Sequence, residues 1–301
     1  MSDRVLLVGC AALPEGDGDD QTVAVALRAL GLRAEWAVWS DPAGDFGKAD
    51  LVVLRASWDY AQRRDEFLRW CAAVPRLANS AAVARWNTDK AYLVELAERG
   101  VPTVPTELVR PVEAVDPAFA NWPDVEFVIK PAVGAGARGA ARFPAGATDA
   151  AARHLAAVHR TGVAALVQPY QSDVDASGEV ALVFFRGVYS HAFSKAAILP
   201  ARSEGSGAAL DASGTFGTEK LGPVEPEPAY RALAEDALDA TAELLEIDRA
   251  ELLYARVDVL RGTDGRPLLL ELELTEPSLG FQTADPGAPL RFASAIRAAL
   301  R

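Results

Sequence analysis

Along the first hundred residues, short apolar runs alternate with segments whose apolar positions recur at helical spacing. Val5 to Gly9 reads as a buried strand, Asp20 to Leu30 as a helix and Leu51 to Leu54 as a second strand, with further helices over Arg63 to Ala73 and Asp89 to Gly100. This alternation predicts an α/β unit, a mostly parallel sheet with helices on both faces, Rossmann-like in the loose sense. From Val104 the pattern changes to antiparallel pieces. Strands are expected near Val125 to Ile129, Ala164 to Gln168, Glu179 to Phe185 and Val188 to Ser194, with helices at Asp149 to Arg160 and Ala229 to Leu245. This half reads as α+β. Residues Ala201 to Gly222, rich in Gly, Ser and Ala and without apolar period, read as a long loop, the kind that in a compact domain closes over a site or stays disordered.

The last strand pair carries the strongest chemical signal. Tyr254-Ala255-Arg256-Val257-Asp258 is followed by Glu271-Leu272-Glu273-Leu274-Thr275-Glu276-Pro277. Side chains alternate faces along a strand, so Glu271 and Glu273 share a face, as do Arg256 and Asp258. The surrounding residues Leu252, Leu253, Val257, Leu268, Leu269 and Leu270 are apolar. Three carboxylates gathered in such a setting repel unless cations neutralise them. Hard oxygen ligands at this density suit Mg²⁺, with Arg256 facing a phosphate.

Composition narrows the classes. The chain has 301 residues, half of them hydrophobic, and a net charge of -12. That balance argues against general attraction to nucleic acid or to an anionic membrane, so an anionic ligand must be held by a local site. The opening MSDRVLLVGCAALPEGDGDD has too short an apolar run for a signal peptide, and nowhere do about 18 apolar residues run together. A cytoplasmic protein is expected. Cys10 and Cys71 fall in expected core elements without metal-binding spacing, and His154, His159 and His191 are scattered. The chemistry therefore rests on carboxylates, Lys and Arg.

Residues Gly134-Ala135-Gly136-Ala137-Arg138-Gly139 fit the dinucleotide fingerprint G-x-G-x-x-G letter for letter. That fingerprint needs a helix starting within the motif. Here the next residues are Ala140-Ala141-Arg142-Phe143-Pro144, which read as strand and turn. A glycine-rich flap fits better than a nicotinamide site, and its backbone N–H groups can approach phosphate closely. Lys130, ending the strand that enters the flap, is placed over those phosphates. Lys90 comes after Asn87-Thr88-Asp89 at an expected helix start, where a cation opposes the dipole and calls for an anionic partner. Gln168-Pro169-Tyr170-Gln171 leaves an apolar strand for the polar run Ser172 to Glu179, a hinge whose backbone can meet an adenine edge.

Lys90, Lys130, the flap, the hinge, Arg256-Val257-Asp258 and Glu271-Leu272-Glu273 occur in the order and spacing that resembles the ATP-grasp superfamily, over residues 85 to 280. The resemblance implies a pre-ATP-grasp α/β domain over 1–84, a central lobe over 85–170 and a C-terminal lobe with the metal site over 171–301. It implies ATP between two α+β lobes and ligation through an acylphosphate. Lys90, Lys130, Gly134, Gly136 and Gly139 would contact phosphates. The backbone of Gln168, Tyr170 and Gln171 would meet adenine, and Glu179 or Asp175 the ribose. Asp258, Glu271 and Glu273 would hold two Mg²⁺ ions, Glu273 standing where many relatives have Asn, and Arg256 would steady the transferring phosphoryl group.

The stretches Leu54 to Tyr60, Arg85 to Lys90, Gly178 to Phe185 and Glu273 to Leu279 further resemble the D-cycloserine synthetase group, whose namesake closes O-ureido-D-serine into an isoxazolidinone ring. That implies a small amino-acid substrate, with Arg55, Ser57, Asp59 and Glu276 contacting it and Lys195 holding its carboxylate. An intermolecular, dipeptide-type ligase shares every ATP motif and remains the alternative. A non-enzymatic nucleotide sensor is disfavoured by the full set of expected metal ligands, and a homodimer stays open.

Overall fold

A computed structural model describes residues 2–111, 124–199 and 220–301. Strands β1 (Arg4–Gly9), β2 (Arg33–Val38) and β3 (Leu51–Ala56) form a parallel sheet in the order β2-β1-β3. On one face Leu7 and Val53 share a core with Val23 and Leu27 of helix α1 (Gln21–Ala29). On the other, Leu6, Val52 and Leu54 share one with Phe67 and Cys71 of α2 (Arg64–Ala73). Burial on both faces is what makes β1 and β3 read as unbroken apolar runs. Strand β2 is mostly half-buried at the sheet edge, so it lacks the apolar run that announces its neighbours. Both cysteines are buried free thiols, as expected.

Helices α3 (Ala81–Asn87) and α4 (Tyr92–Glu98) come next. The helix expected from Asp89 starts later, because residues 88 to 91 form a turn in which the Asp89 carboxylate accepts the Ala91 N–H at 3.1 Å. That turn carries Lys90.

A second, antiparallel sheet contains β4 (Glu107–Val109), β5 (Phe127–Pro131), β6 (Ala141–Phe143) and β7 (Ala165–Pro169), in the order β4-β7-β5-β6. Helix α5 (Thr148–His159) covers it with Ala151, Leu155 and Val158 against Phe127, Ile129 and Phe143. Short helix α6 (Val174–Ser177) leads into the third sheet. Its strands are β8 (Glu179–Phe185), β9 (Val188–Lys195), β10 (Leu221–Pro223), β11 (Tyr254–Arg261) and β12 (Pro267–Glu273), in the antiparallel order β10-β9-β8-β11-β12. Of the loop expected over 201–222, residues 201–219 lie outside the described residues. Leu221 and Gly222 belong to β10, paired with Lys195 and Ser194 of β9.

The third sheet positions the site through the alternation of its side chains. Leu182, Phe184, Val257 and Leu272 face Leu233, Ala237 and Leu238 of helix α7 (Pro228–Leu245). The opposite face changes character along its length. At one end Phe185 and Tyr254, register partners, pack on Phe292 of helix α8 (Ala288–Ala299), which itself packs on α1. Two residues further along, Arg256 opposes Glu273 and Asp258 opposes Glu271. One sheet face thus passes from aromatic core to a charged edge. No helix among the described residues is long and apolar enough to cross a membrane.

Candidate active site

The charged edge forms a wall of a cavity of about 600 Å³ between the second and third sheets. The alternation read from the sequence places its four groups as expected. The Arg256 guanidinium grips Asp258 with two hydrogen bonds of 2.9 Å and reaches Glu273 at 2.5 Å. Lys195 bridges Asp258 at 2.9 Å and Glu179 at 3.3 Å, and Lys90 meets Glu271 at 3.1 Å. Burial pushes the Asp258 carboxyl up, but Arg256 and Lys195 outweigh it and bring it down to about 2. Burial together with Glu271 and Asp258 lifts Glu273 to about 8 against the pull of Arg256.

Metal ions were expected to neutralise this edge, and Lys and Arg of the chain itself also face its acids. No group of three Asp, Glu, His or Cys residues among those described is gathered for a metal, because each acid holds a protein cation instead. The donor set itself is all carboxylate oxygen, which fits Mg²⁺. Lys195, expected to hold a substrate carboxylate, is engaged by Glu179 and Asp258.

Lys130 differs from its neighbours. It lines the cavity yet has no carboxylate within 4 Å among the described residues, while burial, joined by Lys90 and Lys195 against Glu271, holds its pKa below the ordinary value. A desolvated ammonium of this kind gains from a nearby anion.

The glycine run also lines the cavity. It forms turns, with Gly136, Ala137 and Gly139 at positive φ, and strand β6 succeeds it rather than a helix. The match to the dinucleotide fingerprint is therefore in letters only, as the strand-and-turn pattern of Ala140 to Pro144 leads one to expect. A Cβ on Gly139 would meet the Pro131 ring at 2.9 Å, so this turn tolerates no side chain. Lys90 ties the flap to the acids by donating to the Gly134 carbonyl at 2.7 Å.

At the hinge, Gln168, Tyr170 and Gln171 line the cavity. The Tyr170 N–H donates to the Glu126 carbonyl at 2.7 Å, so it continues the sheet and is not offered to a base. Of the two acids considered for the ribose, Glu179 lines the cavity. Asp175 is held away from it by Arg142 at 3.1 Å and by the Tyr170 hydroxyl at 2.5 Å.

The first sheet contributes other residues than expected. Arg55 is buried, donating to Asp20 and to the Pro277 carbonyl, both at 2.9 Å. Ser57 is fully buried, and Asp59 accepts from the Trp39 indole at 2.7 Å and from Arg63 at 2.8 Å. None of the three lines the cavity. After β3 the chain enters a 3₁₀ turn, Trp58–Gln62, which presents Trp58 and Tyr60 instead. Glu276 lines the cavity as expected, and Asp17, Asp19 and Gln282, none of them read from the sequence, join it from distant loops. Asp19 binds the two loops together, accepting the N–H groups of Leu279 at 3.2 Å and Gln282 at 3.1 Å. Asp59→Asn is accordingly expected to leave turnover unchanged while removing the Arg63 ion pair, whose loss costs under about 1 kcal/mol. Steady-state rates beside a melting curve check this, and a large fall in kcat at unaltered Tm would return Asp59 to the site.

Residues 5–79 match the sequence family described as D-cycloserine synthetase DcsG, N-terminal domain. The cycloserine biosynthesis protein DcsG of Streptomyces lavendulae is 37% identical over 312 aligned residues, covering 100% of both chains. The crystal structure of D-cycloserine synthetase DcsG superposes with a TM-score of 0.89 at 35% identity, covering 99% of this chain and 100% of that one. D-alanine–D-alanine ligase from Bacillus anthracis shares the fold, with a TM-score of 0.67 at 14% identity over 99% of this chain and 97% of that one.

Proposed function

Since the chain belongs to the D-cycloserine synthetase family of ATP-grasp proteins, we propose that it is an ATP-dependent carbon–nitrogen ligase that closes O-ureido-D-serine to D-cycloserine. The observation that carries this reading is the unpaired Lys130 ammonium facing, across one cavity, an edge of three carboxylates. Such an arrangement suits a polyphosphate flanked by cations.

The substrate carboxylate attacks the γ-phosphorus of ATP, releasing ADP and leaving an acylphosphate. The nitrogen next to the side-chain oxygen of the same molecule then attacks the acyl carbon. The C–N bond forms as the bond to phosphate breaks, giving an N-carbamoyl ring; one water then cleaves the bond from the ring nitrogen to the carbamoyl carbon, which leaves as CO₂ with its amino nitrogen as ammonia. No second amine has to be captured, and orientation within one molecule can be worth about 7 to 11 kcal/mol in the best cases.

Lys90 and Lys130 hold the phosphates with the backbone of Gly134, Gly136 and Gly139. Gln168 and Gln171 border the adenine, and Glu179 takes the ribose. Asp258, Glu271 and Glu273 would hold Mg²⁺, two ions as the resemblance to the ATP-grasp superfamily implies, and Arg256 would orient the phosphoryl group. Bound Mg²⁺ supplies the positive charge that neutralises the transferring phosphate and these acids together. Trp58 and Tyr60 wall the substrate end of the cavity, keeping water from the acylphosphate.

The test is ADP release with Mg²⁺, ATP and O-ureido-D-serine alone, with the product followed by mass spectrometry. ADP together with a cyclic product is the expected result. Phosphate release that requires a second amino acid would replace ring closure with intermolecular ligation.

A further inference from the structure

Glu276 sits apart from the other acids of the cavity's charged edge. Asp258, Glu271, Glu273 and Glu179 each hold a Lys or Arg within 4 Å, whereas Glu276 holds none among the described residues. The Tyr60 hydroxyl is the neighbour that favours its charged form besides Lys90 and Arg256. The backbone around it is immobilised. The Trp58 indole donates to the Glu276 carbonyl at 2.8 Å, Arg55 to the Pro277 carbonyl at 2.9 Å and the Tyr254 hydroxyl to the Thr275 carbonyl at 2.9 Å. A fixed carboxylate without a counterion, opening on the cavity at its substrate end, is poor at binding phosphate and suited to receive a proton.

We propose that Glu276, positioned by Tyr60, is the general base of ring closure, accepting the N–H proton of the nitrogen that attacks the acylphosphate. The inference rests on the ligase reading above. The N–H electron pair becomes the new C–N bond, the acyl carbon's bond to phosphate breaks with its electrons on phosphate, and the proton resides on Glu276 until solvent takes it. The charged and titratable groups around Glu276 are Tyr60 on the 3₁₀ turn, Cys71 on α2, Lys90, Tyr254 and Arg256 on β11, and Glu271 on β12. Burial raises the carboxyl, Lys90 and Tyr60 oppose it, and it settles at about 7, a value suited to proton transfer at neutral pH.

The test separates the two half-reactions. Hydroxylamine, a small nucleophile that needs no protein base, traps an acylphosphate as the hydroxamate. Glu276→Gln, which keeps the size of the side chain and removes its basicity, is expected to form hydroxamate from O-ureido-D-serine at close to the wild-type rate while cyclic product falls by about 10² to 10⁴-fold. Equal loss of both products would assign Glu276 to phosphoryl transfer and overturn the proposal, as would unaltered ring closure. Tyr60→Phe supplies a second readout. Without the Tyr60 hydroxyl, which favours the charged carboxylate, the acidic limb of the ring-closure pH profile, near pH 7 in the wild type, moves upward; an unmoved limb would contradict the pairing. If wild-type protein forms no hydroxamate with O-ureido-D-serine, the ligase reading fails, and this is visible before any variant is made.

Discussion

Lys130→Ala is expected to abolish ADP formation, a loss of at least about 10³-fold, while leaving the melting temperature unchanged or slightly raised. The two halves of this result have one cause. Lys130 has no protein carboxylate within 4 Å among the described residues, and burial already disfavours its charge. Removing it breaks no ion pair within 4 Å and relieves a desolvated ammonium that Glu271 offsets only in part. On the proposed reading the same ammonium meets the charge of a transferring phosphoryl, where one preorganised donor is worth about 10² to 10³-fold and a full charge more. Glu271→Ala makes the contrast. It should stop ADP formation equally, but it also strands Lys90, which Glu271 meets at 3.1 Å, so the melting temperature falls as well. Turnover of Lys130→Ala within tenfold of wild type would remove Lys130 from the site.

The largest effect on stability is expected from Asn79→Ala. The Asn79 amide donates to the carbonyls of Tyr254 at 2.8 Å and Leu274 at 2.6 Å, and its oxygen accepts the Leu253 N–H at 2.7 Å. All of these groups are buried. Truncation leaves three backbone groups without partners, each costing about 1 to 3 kcal/mol. It also places Ala at φ 52, a left-handed conformation that Asn tolerates better. A total of about 3 to 5 kcal/mol is a large share of a stability that is commonly about 5 to 15 kcal/mol, and Tm should drop by roughly 10 °C. Asn79→Gly relieves the backbone but restores no bond, so it should recover only the smaller part. Denaturation within about 1 kcal/mol of wild type for Asn79→Ala would show that the strand ends find other partners.

The acidic edge was legible in the sequence because it depends only on local alternation: Arg256 and Asp258 share a face two residues apart, as do Glu271 and Glu273, and pairing of neighbouring strands brings the four together. The flap was legible for a similar reason, since the residues after Gly139 carry no helix-start pattern and form a strand. The substrate wall was not. Whether the chain after β3 presents Ser57 and Asp59 or Trp58 and Tyr60 depends on a 3₁₀ turn that no periodicity announces. Asp17 and Asp19 become cavity residues only through a loop closing 260 residues away in the chain, where Asp19 holds Leu279. Nor does sequence pattern reveal which cation each acid selects. Lys195 looked like a substrate ligand until β9 and β11 placed it beside Asp258.

The hydrogen bonds that Asn79 and Asn87 extend to β11, β12 and the segment beyond span 174 to 195 residues of chain. Contacts this distant form late. During synthesis the first sheet can assemble early, since β1, β2 and β3 lie within the first 56 residues, whereas the acid edge does not exist until residue 273 has left the ribosome. A nascent chain carries Lys90 and Lys130 long before it carries Glu271. Unfinished molecules therefore carry these two cations before the acids that complete the cavity, and the step that completes the acidic edge is the same one that fastens the first sheet to the last.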